Sequence, residues 1–186
     1  MRLLLLAPPG AGKGTQAVRL ARHFGIGLIA TGEMLRQAVG AGTPLGQKAG
    51  YFVERGDLVP DDLIIELVLD RLKAAQAGGG FVLDGFPRNL AQAVEAEQAG
   101  IVIDAAIYLE IGTAEAIRRV LGRSAQQQRA DDVESTVRHR IEVFERQTYP
   151  LCRYYTERGV LIRVDAEQTP DQVTAFILER LAELPL

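Results

Sequence analysis

The sequence predicts an α/β protein built on a five-stranded parallel sheet with helices on both faces. Short apolar runs that read as strands buried on both sides alternate along the chain with segments of helical period. The first run, Leu3-Leu4-Leu5-Leu6, meets Pro8, Pro9, Gly10 and Gly12, which forbid either regular structure from continuing. From Lys13 the apolar residues Val18, Leu20, Ala21 and Phe24 fall at helical spacing, so a glycine-rich loop joins a buried strand to a helix N-terminus.

The remaining elements follow in order. Gly27 to Ala30 reads as the second strand, and Thr31 stands where it would cap a helix with Glu33 in its first turn. From Arg36 to Pro60 glycines recur without a strand, and the helical stretch Gly46 to Arg55 lies between Thr43-Pro44 and Gly56-Asp57. This texture predicts a small helical lobe inserted after strand two. Pro60-Asp61-Asp62 opens a helix whose stripe is Leu63, Ile64, Leu67, Val68 and Leu72, and Gly78-Gly79-Gly80 ends it. Phe81-Val82-Leu83 is the third strand and Asp84 to Arg88 the loop at its carboxyl end. A helix from Asn89 to Ala99, a strand from Ala105 to Leu109 and a helix from Ala114 to Leu121 come next. A long helix with Val133, Val137, Ile141 and Phe144 on its buried face precedes the fifth strand, Val160 to Val164, and a last helix capped near Thr169-Pro170. Ligands of such sheets bind at the carboxyl ends of the strands, where the glycine-rich loop, Thr31, Asp84 and Asp165 all fall.

The loop itself is an anion cradle. Backbone N–H groups unhindered by Cβ converge there, the helix N-terminus adds its free N–H groups and dipole, and Lys13 adds a full positive charge. Ala7 to Thr15 resembles the phosphate-binding P-loop G-x-x-x-x-G-K-[ST], with Ala7 in place of the first glycine and Gly14 before the hydroxyl of Thr15. Gly-x-Gly-Lys-Gly-Thr is the form this loop takes in adenylate kinases and related nucleoside monophosphate kinases, and Gly10-Ala11-Gly12-Lys13-Gly14-Thr15 is similar to theirs. The expected class is therefore a P-loop NTPase-type sheet.

Composition narrows the function. The 186 residues suit one domain with small inserted lobes. A net charge of −3 argues against nonspecific nucleic-acid binding, which needs a basic surface. No apolar run is long enough for a signal-peptide core or a membrane span, so no membrane partner and a cytoplasmic location are expected. The single cysteine, Cys152, excludes an internal disulfide and a cysteine-rich zinc site. His23 and His139 read as helix-surface residues.

Local positive charge is a different matter. Arg36, Arg88, Arg119, Arg123, Arg129 and Arg140 cluster at element ends, and with Lys13 they amount to more than one triphosphate requires. Two phosphorylated substrates facing one another would need such a set, because guanidinium binds phosphate in bidentate fashion and stabilises charge on the transferring group. A phosphate acceptor is already ionised and needs no base. Asp84 then reads as the acid holding the water shell of a Mg²⁺ that bridges nucleotide phosphates.

The resemblance to adenylate kinases covers nearly the whole chain. Thr31-Gly32-Glu33-Met34-Leu35-Arg36 is similar to the family's T-G-D-M-L-R, Asp57-Leu58-Val59-Pro60-Asp61 to its D/E-L-V-P-D, and Leu83-Asp84-Gly85-Phe86-Pro87-Arg88 with Gln92 to its L-D-G-F-P-R-x-x-x-Q. Arg119, Gly122-Arg123, Arg129-Ala130-Asp131-Asp132 and Arg140 match its lid arginines and R-x-D-D segment. Glu33 replaces the usual Asp, Gln128 a usual Gly, and the short lid carries no cysteine for zinc. The resemblance implies reversible transfer of phosphate from ATP to AMP with Mg²⁺ by a monomer. It divides the chain into a core (1–29, 60–121 and 133–186), an AMP-binding lobe (30–59) and a short lid (122–132). Lys13, Arg88, Arg123, Arg129 and Arg140 would serve the transferred phosphate. Gly10 to Thr15, Arg119, Arg123 and Gln168 would hold ATP. Thr31, Arg36, Asp57, Leu58, Val59, Gly85, Phe86, Pro87, Arg88, Gln92, Arg129 and Arg140 would hold AMP. The rival readings are a UMP/CMP kinase on the same fold, which Asn89 favours, and a P-loop nucleotide-binding protein without transfer activity.

Overall fold

Strands β1 (Arg2–Leu6), β2 (Gly27–Ala30), β3 (Phe81–Asp84), β4 (Ala105–Glu110) and β5 (Leu161–Asp165) lie side by side in the order β2-β3-β1-β4-β5, all parallel. This is a computed structural model, and it describes residues 1–127 and 133–184. The four leucines of β1 are 0–2 % exposed. Successive strand side chains point to opposite faces, so Leu4 and Leu6 join Phe81 and Leu83 in one core while Leu3 and Leu5 join Val82 in the other. Each buried leucine contributes roughly 1.5–3 kcal/mol. That is why this central strand is apolar at every position from Leu3 to Leu6 rather than at alternate ones.

Helices α4 (Asp61–Ala77), α5 (Leu90–Gln98) and α8 (Pro150–Glu157) cover the first face, through Ile64, Val68, Leu72, Ala93, Ala96, Leu151 and Tyr155. Helices α1 (Lys13–Phe24) and α9 (Pro170–Ala182) cover the second, through Ala17, Leu20, Val173 and Ile177. A third, smaller cluster joins α6 (Thr113–Gln127) to α7 (Glu134–Val143) through Ala116, Val120, Val137 and Ile141. Between β2 and α4 sits a helical pair, α2 (Thr31–Gly40) and α3 (Pro44–Arg55), the second capped by the Thr43 hydroxyl, which accepts the Gly46 N–H.

Register brings the loops together. Leu5 pairs with Asp84, and Ala30 pairs with Asp84 from the other side. The glycine-rich loop after β1, Asp84 and the start of α2 therefore meet at one end of the sheet.

Three expectations need correction. Helix α6 does not stop at Leu121 but runs to Gln127, because Ser124-Ala125-Gln126-Gln127 is polar yet contains good helix formers. Val133 is 58 % exposed and precedes α7 as its N-cap rather than lying on its buried face. The long helix is also broken: a π turn at Phe144–Thr148 separates α7 from α8. Among the described residues no helix is long and apolar enough to cross a membrane.

Candidate active site

The glycine-rich loop has the backbone its sequence requires. Gly10 and Gly12 have φ of +85° and +86°, a region costly for any residue with a Cβ. At Gly10 a Cβ would also lie 2.4 Å from the Ala116 carbonyl oxygen of α6. Gly12 is the N-cap of α1, so the free N–H groups of that helix open toward the loop. Lys13 extends toward Asp84, its Nζ 3.2 Å from Oδ1, and the two side chains are 22 % and 18 % exposed. Burial lowers the Lys13 pKa from the ordinary lysine value, with the Asp84 carboxylate opposing the shift and the Arg88 and Arg140 guanidiniums adding to it.

The loop after β3 turns at Gly85, where φ is +93° and a Cβ would fall 2.6 Å from Thr31 Oγ1. The Gly85 carbonyl accepts from Arg88 Nε at 2.9 Å, and the Phe86–Pro87 peptide is cis. The Arg88 pKa is lowered by burial first, then by the Arg140 charge, and also by Arg36, while Asp84 opposes. Thr148, at the end of the π turn, donates its hydroxyl to the Arg88 carbonyl at 2.7 Å. Thr31 is 1 % exposed and donates to the Asp84 carbonyl at 3.2 Å, so it joins two strand ends instead of capping α2 as its position in the sequence implied.

Two adjoining cavities open at this end of the sheet. One is lined by Thr31, Arg36, Asp57, Leu58, Val59, Gly85, Arg88, Gln92 and Arg140, with Gly32, Leu35, Val53, Gly56 and Ile64. The other contains Lys13 beside Pro9 and Pro87. Leu58, Gly85, Arg88 and Arg140 border both, so the cations stand where the two chambers meet. Phe86 lines neither: its side chain is 0 % exposed, within the core beneath the loop.

Arg119 and Gln168 line neither of these two cavities. Arg119 Nε donates to Glu115 Oε1 at 2.6 Å, and its terminal nitrogens donate to the carbonyls of Ala166 and Glu167. Gln168 donates to Asp165 Oδ2 at 2.9 Å, beyond the end of β5. Arg123 belongs to α6. Arg129 lies outside the described residues, as do 128–132 of the expected lid.

Sequence reasoning missed three partners. Asp61 accepts hydrogen bonds from Asn89 and Gln92, Thr148 supports Arg88, and His139 Nε2 sits 2.6 Å from Asp57 Oδ1, tying α7 to the lobe. Of the contacts around them, only the local link between Asn89 and Gln92 left a signal in the sequence, and none pointed to Asp61. Asn89-Leu-Ala-Gln92 has the spacing of a capping box, and Asn89 Oδ1 accepts the Gln92 N–H as the N-cap of α5.

Comparison with known proteins agrees with this geometry. The family model described as "Adenylate kinase" matches residues 5–160. A protein of Nitrobacter winogradskyi named "Adenylate kinase" is 46% identical over 95% of this chain and 91% of its own length. Those of Thermobifida fusca and Thermus thermophilus, with the same name, are 45% and 46% identical, each over 94% of both chains. With that likeness running through the glycine-rich loop, the Asp84–Arg88 turn and the helices that flank them, the chain belongs to the adenylate kinase family.

Proposed function

We propose that the protein transfers the terminal phosphate of ATP to AMP, reversibly, giving two molecules of ADP. The observation that carries this reading is the pair of chambers joined at Arg88 and Arg140, with Lys13 in one and Gln92 in the other. One chamber suits a triphosphate on a helix N-terminus, the other a nucleoside monophosphate, and the shared cations stand where a phosphoryl group would pass between them.

In this reading Gly10 to Thr15 cradle the ATP phosphates, and Lys13 follows the β- and γ-phosphates as charge grows on them. Arg119 and Gln168 flank the adenine of ATP. Arg36, Arg88 and Arg140 hold the AMP phosphate, whose oxygen attacks the γ-phosphorus as the bond to the β–γ bridging oxygen breaks. No general base is required, since the attacking oxygen is ionised already. Arg123 and Arg129 close over the transferring group from the lid at 122–132, the AMP-binding lobe spans 30–59, and the core comprises 1–29, 60–121 and 133–186. Thr31, the Asp57–Val59 backbone, Gly85, Pro87 and Gln92 enclose the AMP nucleoside, and Phe86 supports them from below.

Asp84 and Thr15 are oxygen donors of the kind Mg²⁺ prefers. Gly14 leaves room beside Asp84: even a Cβ there would lie 3.9 Å from Oδ2. Asp84 would hold the ion through water, and the ion would neutralise charge on the nucleotide phosphates. No zinc is proposed.

The amide that favoured a pyrimidine acceptor is engaged elsewhere. Asn89 Oδ1 caps α5, its Nδ2 donates to Asp61 and it lines neither chamber, whereas Gln92 lines the first, which supports base recognition by Gln92. A coupled assay with ATP and AMP, CMP or UMP tests the whole reading. Strong preference for AMP is expected; turnover of CMP or UMP at a comparable rate would overturn the assignment, and none with any acceptor would leave a nucleotide-binding protein.

A further inference from the structure

The Gln92 side-chain amide offers two N–H donors and two acceptor lone pairs. The fold already uses one of each. Its Oε1 accepts the Arg88 backbone N–H at 2.7 Å, and its Nε2 donates to Asp61 Oδ1 at 2.6 Å. Neither partner can exchange roles, because a backbone N–H only donates and a carboxylate only accepts. Gln92 is 2 % exposed, so a flipped amide would set donor against donor at Arg88 and acceptor against acceptor at Asp61, with little water to relieve either.

One N–H and one lone pair are left for a ligand, in a fixed sense. Adenine presents an acceptor at N1 beside a donor at N6, whereas a 6-oxopurine presents a donor at N1 beside an acceptor at O6. A freely rotating glutamine reads both by turning over; a pinned one reads only the first. We propose that Asp61 is a specificity-determining positioning residue, fixing Gln92 in the orientation that takes a 6-aminopurine and refuses a 6-oxopurine. Asp61 lines neither cavity, so any effect it has on the acceptor base passes through Gln92. It is itself held as the first residue of α4, with Asn89 Nδ2 donating to both of its oxygens at 2.9 and 3.2 Å. The inference rests on Gln92 reading the acceptor base, as proposed above, and adds what sets the sense of that reading.

The test compares kcat/KM for AMP and for inosine monophosphate at saturating ATP in the unmutated protein, Asp61→Ala, Asp61→Asn and Gln92→Leu. Asp61→Ala should lower the AMP-to-inosine preference by about tenfold, the scale for relieving one mismatched buried polar contact. KM for ATP and kcat with AMP should hold. Asp61→Asn, whose amide can still accept through Oδ1 but can also turn over and donate, should lose part of the preference and less of it than Asp61→Ala. An unchanged preference in folded Asp61→Ala, with the preference lost in Gln92→Leu, overturns the role of Asp61 and leaves the Gln92 reading standing. Equal losses with both acceptors in Asp61→Ala would make Asp61 merely structural and overturn it too. An unchanged preference in Gln92→Leu removes base reading by this residue, and the inference with it. Should Asp61→Ala not fold, the side-chain amide proton signals of Gln92 in the unmutated protein decide, identified by their absence from Gln92→Leu. Two distinct signals exchanging slowly with water are expected; exchange as fast as in free glutamine would overturn the pinning.

Discussion

The Lys13 ammonium lies 3.2 Å from the Asp84 carboxylate, bridging the first turn of α1 and the end of β3 beside the glycine-rich loop. The fold depresses the pKa of this lysine even with that carboxylate beside it, because burial outweighs the pairing.

Two outcomes are expected of Lys13→Met. Its kcat should fall by at least about a hundredfold, the scale for removing one preorganised electrostatic contact. The stability effect has a definite sign. A lysine with a depressed folded-state pKa binds its proton more readily when unfolded, so stability rises with pH between the depressed value and the ordinary one. Denaturant melts from neutral to alkaline pH should show the unmutated ligand-free protein gaining relative to Lys13→Met. Parallel pH profiles would contradict the burial of this charge, and near-normal turnover would remove Lys13 from the mechanism.

The cations at the junction of the two chambers repel one another, as the lowering of the Arg88 pKa by burial and by Arg140 shows. An anion placed there relieves that repulsion. Inorganic sulfate at a hundred times its Kd should add about 2.7 kcal/mol to stability, with a higher Tm. Sodium chloride at matched ionic strength should do much less, and Arg88→Ala should lose most of the sulfate effect. Equal Tm shifts from the two salts would point to general screening instead of a site.

Thr148→Val should leave the Arg88 carbonyl without its hydroxyl donor, a loss of about 1–3 kcal/mol for a buried acceptor. Because the carbonyl belongs to the residue proposed to guide the transferred phosphate, kcat should drop by about tenfold for each ~1.4 kcal/mol that reaches the transition state. KM for ATP should change little, and Thr148→Ser should restore both stability and turnover. A variant less stable yet equally fast would confine Thr148 to a structural role.

What the sequence revealed depended on how local the physics was. The glycine-rich loop was legible because its glycines, its lysine and the strand-to-helix change are contiguous. Asp84 and Thr31 could be placed because parallel strands end together. The bond from Asp61 to Gln92 spans 31 residues and that from Thr148 to Arg88 spans 60, and no periodicity reports a pairing of that kind. The π turn was hidden for another reason: the apolar spacing of Val137, Ile141 and Phe144 is the same whether or not the helix loosens just beyond it. The extension of α6 was missed because polarity was weighed above helix propensity.

Arg88 carries one more implication. Its backbone N–H bonds the Gln92 amide, its carbonyl bonds Thr148, and its guanidinium borders both chambers. In the proposed reading, sensing the base and handling the phosphate thus share one residue. On that reading, an acceptor whose base forces the Gln92 amide to turn over would also remove a restraint from the arginine proposed to meet the transferred phosphate. Discrimination against a wrong nucleotide would then be expressed in turnover as well as in occupancy, and raising its concentration would not make it a good substrate.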